Sequence, residues 1–266
     1  MILHKSRSSA GDLELSGEIA GLPPDSVRYL RYEDLLRLPQ ETYTVSADDN
    51  FRQRTVIGGV ALSTLARMFG RRDKSDMVAA VCYDRYQSNY PSEYMRAHHP
   101  ILVLKIDGKL RDQWPLSEYG GSLGPYLISH PTFTPSYTVL SHKDEAQIPF
   151  GVTGIVFDAE AQVFGAIRPP GKWPENSAVW QGYRIAREDC YRCHNMGTEG
   201  GHKAERSWLI LAAWAATNPS QFESYIHAPK SIMPSAVMPA HPEYDKATLA
   251  ALTAYFRTFE PTRQAQ

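Results

Sequence analysis

The pattern of apolar and polar positions changes character about two thirds of the way along the chain. Before residue 165 the apolar stretches are short. Thr42-Tyr43-Thr44-Val45 alternates and is rich in β-formers, and Met77–Val81 and Ile101–Ile106 are continuous apolar runs of strand length. Asp107-Gly108 follows the last run as a hairpin turn, with Lys109-Leu110 starting the return. Two short helices are predicted, Tyr32–Leu38 and Leu62–Phe69, the second closed by Gly70. Strands mixed with scattered helices give an α+β domain with a mixed sheet over residues 1–164. Residues 165–178, GAIRPPGKWPENSA, hold three prolines and two glycines and read as a linker. Beyond it the spacing is helical. Val179–Cys190, Glu205–Ala216, a helix begun by Asn218-Pro219, and amphipathic Lys246–Phe259 make residues 179–266 an all-α domain. Residues 262–266 read as a frayed tail.

Composition narrows the function classes. The chain has 266 residues, enough for one or two domains, and 42% are apolar, which suffices for a packed core. Lys and Arg number 28 against 29 Asp and Glu, so the basic footprint of a nucleic-acid binder is missing. No apolar run approaches the ~18 residues of a membrane span. The first residues, Met1 to Arg7, carry no apolar export segment, which taken alone indicates the cytoplasm, and Arg71-Arg72 lies too deep in the chain to be a twin-arginine signal. Three cysteines are too few for a disulfide scaffold.

Two of those cysteines form one motif. Cys190-Tyr191-Arg192-Cys193-His194 is C-x-x-C-H, the c-type haem attachment signature. Each thiol adds to one haem vinyl group, and the adjacent histidine reaches the iron. A thioredoxin-like dithiol would want a strand before the motif, where a helix is predicted. A zinc site would want a second Cys/His pair, of which only His202 is at hand.

The C-terminal region resembles a small class I cytochrome c domain. Its glycine eight residues before the first cysteine is Gly182, and the aromatic of its last helix is matched by Tyr255. The resemblance implies a methionine as sixth iron ligand, in a Met-Pro step before the last helix. Met238-Pro239 keeps the usual distance and is the first candidate, with Met233-Pro234 the runner-up and His241 and His202 more remote. A His/Met pair raises the potential and leaves no open position on the iron, which is the constitution of an electron carrier. The family's Gly-Pro step after the motif, whose carbonyl orients the proximal histidine, is replaced by Gly200-Gly201-His202-Lys203, so the partner of His194 is unassigned.

Residues 30–156 resemble the molybdopterin-binding domain of the sulfite-oxidase type. Leu30–Gln40 is similar to its opening helix and Ile57–Leu62 to its W-x-G-V-x-L step. Tyr83–Tyr86 is similar to its D-G-Y segment, Ile101–Lys109 and Tyr119–Leu127 to the stretch beyond, and Pro131 onwards to the strand that follows. The family's molybdenum-ligating cysteine has no counterpart in residues 45–56, and Ile57 replaces the tryptophan of the step. Cys82 does not match the ligand position and reads as a small buried hydrophobe. The expectation is a domain that kept the fold and lost the metal, without molybdopterin. His98-His99 reads as an exposed loop pair and Asp144-Glu145 as a solvated turn. His130 and His142 could face one pocket. The tyrosines between Tyr83 and Tyr94 read as half-buried strand positions.

Three functional readings follow. The first is an electron-transfer protein with one haem c, whose N-terminal domain docks a redox partner or assembles it into a complex. The second is a molybdopterin enzyme, sulfite dehydrogenase-like, passing electrons to its own haem. The third is a haem sensor or peroxidase in which Met238 leaves the iron. The sequence favours the first and leaves open whether the chain is itself an enzyme. Haem attachment to C-x-x-C-H implies export-side machinery, hence a periplasmic protein whose export signal was removed or replaced.

Overall fold

The structure is a computed structural model, and it describes residues 3–46, 48–51, 53–117 and 120–260. The tail at 262–266, Met1, and Tyr119 of the stretch Tyr119–Leu127 lie outside the described residues. The chain divides into two compact units. Unit 1 is 1–134 with 145–163, and unit 2 is 135–144 with 164–266.

Unit 1 is built on one large mixed sheet. Its strands are β1 (Leu13–Gly17), β2 (Arg28–Leu30), β3 (Glu41–Val45), β4 (Thr55–Ala61), β5 (Met77–Cys82), β6 (Gln87–Pro91), β7 (Ile101–Ile106), β8 (Lys109–Leu110) and β9 (Tyr126–Ser129), and, after an excursion into unit 2, β12 (Phe150–Asp158). The main order is β2-β1-β12-β9-β7-β4-β3, with β5 pairing β12 and β6, and β8 returning along β7. β1 and β12 run parallel and the other pairs are antiparallel. The sheet is buried on both faces, which the period of two makes visible. Leu102 and Leu104 of β7 join one core, with Leu13, Ile155 and Phe157, while Ile101 and Val103 join the other, with Ile57 and Leu127. Asp107 and Gly108 both take positive φ, as the tight turn between β7 and β8 requires. Gly59 marks a register shift between β4 and β7, where a Cβ would lie 2.0 Å from the Leu102 carbonyl oxygen. The helices are α1 (Tyr32–Leu36), α2 (Leu62–Phe69), α3 (Ser92–His98) and α4 (Glu160–Val163).

Several expectations for this region need correction. His98 is buried at the end of α3, stacked on Phe133, because packing across the chain captured what looked like a loop histidine; His99, in the left-handed conformation, is the exposed one. Residues 131–137 are irregular, and the nearest strand of the sheet precedes them as β9. Tyr90 is fully buried while Tyr83 is well exposed. Cys82, by contrast, lies in the core as expected of a small buried hydrophobe.

Unit 2 is helical apart from two short ladders, β10 (Thr138–Val139) with β11 (His142–Lys143), and β13 (Asn195–Met196) with β14 (Glu199–Gly200). Its helices are α5 (Ala178–Glu188), α6 (Trp208–Thr217), α7 (Pro219–His227), α8 (Pro229–Ile232) and α9 (Lys246–Arg257). Side chains of Ser177, Asn218 and Asp245 cap α5, α7 and α9. α5 crosses α9 at Gly182, where a Cβ would sit 2.1 Å from the Ala251 carbonyl oxygen and 2.7 Å from Tyr255 Cβ. Tyr255 is fully buried there, accepting from Trp208 Nε1 (3.2 Å) and donating to the Ile167 carbonyl (2.5 Å). Tyr183 donates to the Phe164 carbonyl. Part of the stretch read as a linker is therefore packed. Within it, the Ile167 carbonyl is taken up by the hydroxyl of Tyr255.

Candidate functional site

The attachment motif lies where α5 ends. Asp189 closes the helix, Cys190–Arg192 make one 3₁₀ turn, and the His194 amide donates to the Cys190 carbonyl at 2.9 Å. This tightening brings Cys190 and Cys193 onto one short turn with His194 directly after it. Cys190 and Cys193 are not joined as a disulfide. Burial pushes the Cys190 thiol well above its ordinary range, and the charge of Asp189 adds to the effect.

His194 is almost fully buried, and its Nδ1 lies 2.6 Å from the Arg206 carbonyl oxygen. Burial lowers its pKa and the Arg206 charge adds to this, although the hydrogen bond to the Arg206 carbonyl opposes it. The neutral ring then donates from Nδ1, which leaves Nε2 a free base. The carbonyl that sequence comparison could not assign is thus supplied by Arg206, twelve residues on. Its own side chain is fixed by stacking over Trp214 and Tyr225 and by a 3.3 Å hydrogen bond to the Tyr225 hydroxyl. The loop between is tied back by Gly201 N–H to the Tyr191 carbonyl and Ala204 N–H to the Cys193 carbonyl.

A mainly apolar cavity opens beside the turn. Cys190, His194 and Met238 all line it, with Leu211, Trp214, Phe222, Tyr225, Ile226, Phe256 and Arg206. Met233 does not line it, and stands 40% exposed after α8. His202 spans the carbonyls of Gly197 and Gly200 within its own loop, and His241 pairs with Glu243 and stacks on Tyr244. The donor set suits a covalently held haem: the Cys190 thiol, the His194 imidazole and the Met238 thioether line the apolar space, and Cys193 ends the same short turn as Cys190. Among the described residues, no group of three or more His, Cys, Asp or Glu side chains could hold a metal ion by itself.

A second feature, absent from the sequence reading, adjoins the motif. The segment 135–144, which interrupts unit 1 in sequence, brings His142 into unit 2 with its side chain 1% exposed. His142 Nε2 lies 2.9 Å from Glu188 Oε2. Nδ1 lies 3.0 Å from the Tyr244 hydroxyl and 3.4 Å from Asp189 Oδ2. Tyr137 donates to Glu188 and Tyr244 donates to Asp189. Burial pushes the Glu188 carboxyl up, yet hydrogen bonds from His142 and Tyr137 and the charges of Arg192 and His142 hold it down at about 2. Asp144, buried beside Glu188, is raised to about 6 by burial first and by Glu188 second, against a hydrogen bond from the Ser136 amide. His130 belongs to unit 1 and His142 to unit 2, and Asp144 is buried rather than part of a solvated turn.

Asp144 has a testable consequence. Its folded pKa is raised, so folding favours the protonated form, and that stability is lost as pH rises through about 6. Asp144→Asn should gain on the natural chain between about pH 4 and about pH 8, by about 1 kcal/mol after allowance for partial solvation. Urea unfolding at the two pH values measures this, and a difference that does not change with pH would contradict the assignment.

Comparison with known proteins gives partial likenesses. No family model matches the chain. Cytochrome c oxidase subunit 2 of Alkalihalophilus pseudofirmus is 28% identical over 95 residues, covering 33% of this chain. The match takes in 27% of that protein, so the chain spans about a quarter of the curated relative's length. The crystal structure of the sulfane dehydrogenase SoxCD from Paracoccus pantotrophus aligns with a TM-score of 0.39 at 16% identity, over 58% of this chain and 40% of that one.

Proposed function

We propose that this chain is a periplasmic c-type cytochrome that carries single electrons. Cys190 and Cys193 would hold one haem c through thioethers, with His194 and Met238 as the axial ligands. The observation that carries this reading is the convergence of Cys190, His194 and Met238 on one apolar cavity, with His194 Nδ1 engaged by Arg206. When bound, haem c supplies a one-electron iron couple. The chain's own residues do the rest. Arg206 orients His194, the turn 190–194 aligns the thiols, and Trp214, Phe222 and Phe256 keep water out, which limits reorganisation on electron transfer. The partial likeness to a cytochrome oxidase subunit agrees with a redox role. Unit 1 would serve as a docking or assembly module for a redox partner, without molybdopterin, since the ligand cysteine is missing from residues 45–56. The periplasmic placement rests on the attachment chemistry. Among the described residues no helix is long and apolar enough to cross a membrane.

The test is a reductive titration of protein matured with haem c machinery and a molybdate supply. One electron per chain should complete the spectral change, and sulfite alone should reduce nothing. Reduction by sulfite would establish the molybdopterin enzyme instead.

A further inference from the structure

The buried cluster around His142 has no part in the account so far. Both ring nitrogens face oxygen acceptors. Nε2 faces Glu188, and Nδ1 faces the Tyr244 oxygen, whose own proton points to Asp189. Such an arrangement is satisfied when both nitrogens carry protons, so the ring sits as a cation between two carboxylates. Those carboxylates end α5, and Asp189 is the residue before Cys190. A carboxylate at a helix C-terminus is unfavourable against the helix dipole, so this end needs a cation brought from elsewhere. Arg192 supplies one, its Nε donating to the Glu188 carbonyl and a terminal nitrogen pairing with Asp189 at 3.4 Å. His142 supplies the other, from a segment far away in sequence. That segment is anchored independently of charge, since Ser141 Oγ lies 2.6 Å from Thr248 Oγ1 and accepts from the Asp245 amide.

We propose that the 135–144 segment is a positioning element for the attachment turn, and that His142 tunes the reduction potential of a haem held there by neutralising Glu188 and Asp189. The inference rests on the haem reading above. Charges in a buried environment act over longer distances than in water. Negative charge at the end of α5 favours the oxidised iron, which carries one more positive charge than the reduced form. Removing His142 should therefore lower the potential, and removing the Glu188 charge should raise it.

The experiment uses the full chain, matured with haem c machinery, and compares wild type with His142→Gln, Glu188→Gln and Ser141→Ala by spectroelectrochemical titration. Covalent haem per chain is measured in parallel. His142→Gln should raise the oxidised-to-reduced ratio at a fixed potential by roughly tenfold, a fall of about 59 mV for one electron. Glu188→Gln should move it the opposite way by a similar factor. Ser141→Ala, which loosens the segment without changing its charges, should lower the melting temperature and leave the potential in place. Opposite signs exclude a merely structural role, because loosening the turn would shift both variants alike. Potentials that stay put or move together, with haem attached, overturn the proposal. Should His142→Gln not fold, Glu188→Gln decides alone: a rise supports the proposal and no rise overturns it. A wild-type chain that takes no covalent haem overturns the haem reading instead.

Discussion

Gly182→Ala should cost unit 2 about 3 kcal/mol or more. Two effects of opposite sign compete. Alanine in place of glycine inside a helix stabilises by about 0.5–1 kcal/mol, since the unfolded chain loses freedom. Against this, the added carbon would lie 2.1 Å from the Ala251 carbonyl oxygen and 2.7 Å from Tyr255 Cβ. Neither is the mobile end of a side chain, so no rotamer change relieves the clash, and α5 and α9 must move apart. Overpacking of this kind costs about 1–3 kcal/mol, and more where backbone obstructs. Separation would also pull Tyr255 from its bonds with Trp208 and the Ile167 carbonyl. Thermal unfolding should show a fall of roughly 10 °C or more. Arg184→Ala, on the exposed side of α5, should change little. A Gly182→Ala chain as stable as wild type would show that the helices do not cross this closely.

Met238→Ala should lower the reduction potential by on the order of 0.1–0.3 V, within the roughly 0.8 V that axial ligation commands. It should also let carbon monoxide bind the reduced protein, because the sixth position opens. Met233→Ala should leave both properties as they are, since Met233 stands exposed outside the cavity. The two Met-Pro steps are five residues apart and chemically alike, and they differ in where the loop after α8 places them. Equilibrium potentials and carbon monoxide difference spectra on the two variants give the answer. If Met233→Ala shows the fall and the binding, the ligand assignment is reversed.

Local signals in the sequence were strong where the physics is local. The apolar spacing of Leu62–Phe69 ends at Gly70 as the helix does, and Asp107-Gly108 turns the hairpin. Asn218 caps α7 through a side chain that only a few residue types offer. The motif Cys190–His194 stands out in the sequence for the same reason, because it consists of residue types at fixed spacing. What escaped notice depends on contacts made at a distance. The partner of His194 is a backbone carbonyl at Arg206, and carbonyls carry no residue signature. The 135–144 segment gives no sign in its composition that it packs with residues 188 and 244 rather than with its neighbours. His98 stands in a His-His-Pro run typical of loops, and packing against the rings of Tyr94, His130 and Phe133 makes it a core residue. β12 carries Gly151 and Gly154 and lacks a clean alternation, so its nine-residue strand was not evident.

Met238, His194 and the two cysteines stand or fall together with the haem they would hold, and so does the role of unit 1. The most direct measurement is iron and molybdenum per folded chain by elemental analysis, on protein matured with haem c machinery and molybdate, with iron measured again after unfolding and gel filtration. One iron that stays with the unfolded chain, and no molybdenum, is the predicted result. Iron that is lost on unfolding, or one molybdenum per folded chain, would contradict the account.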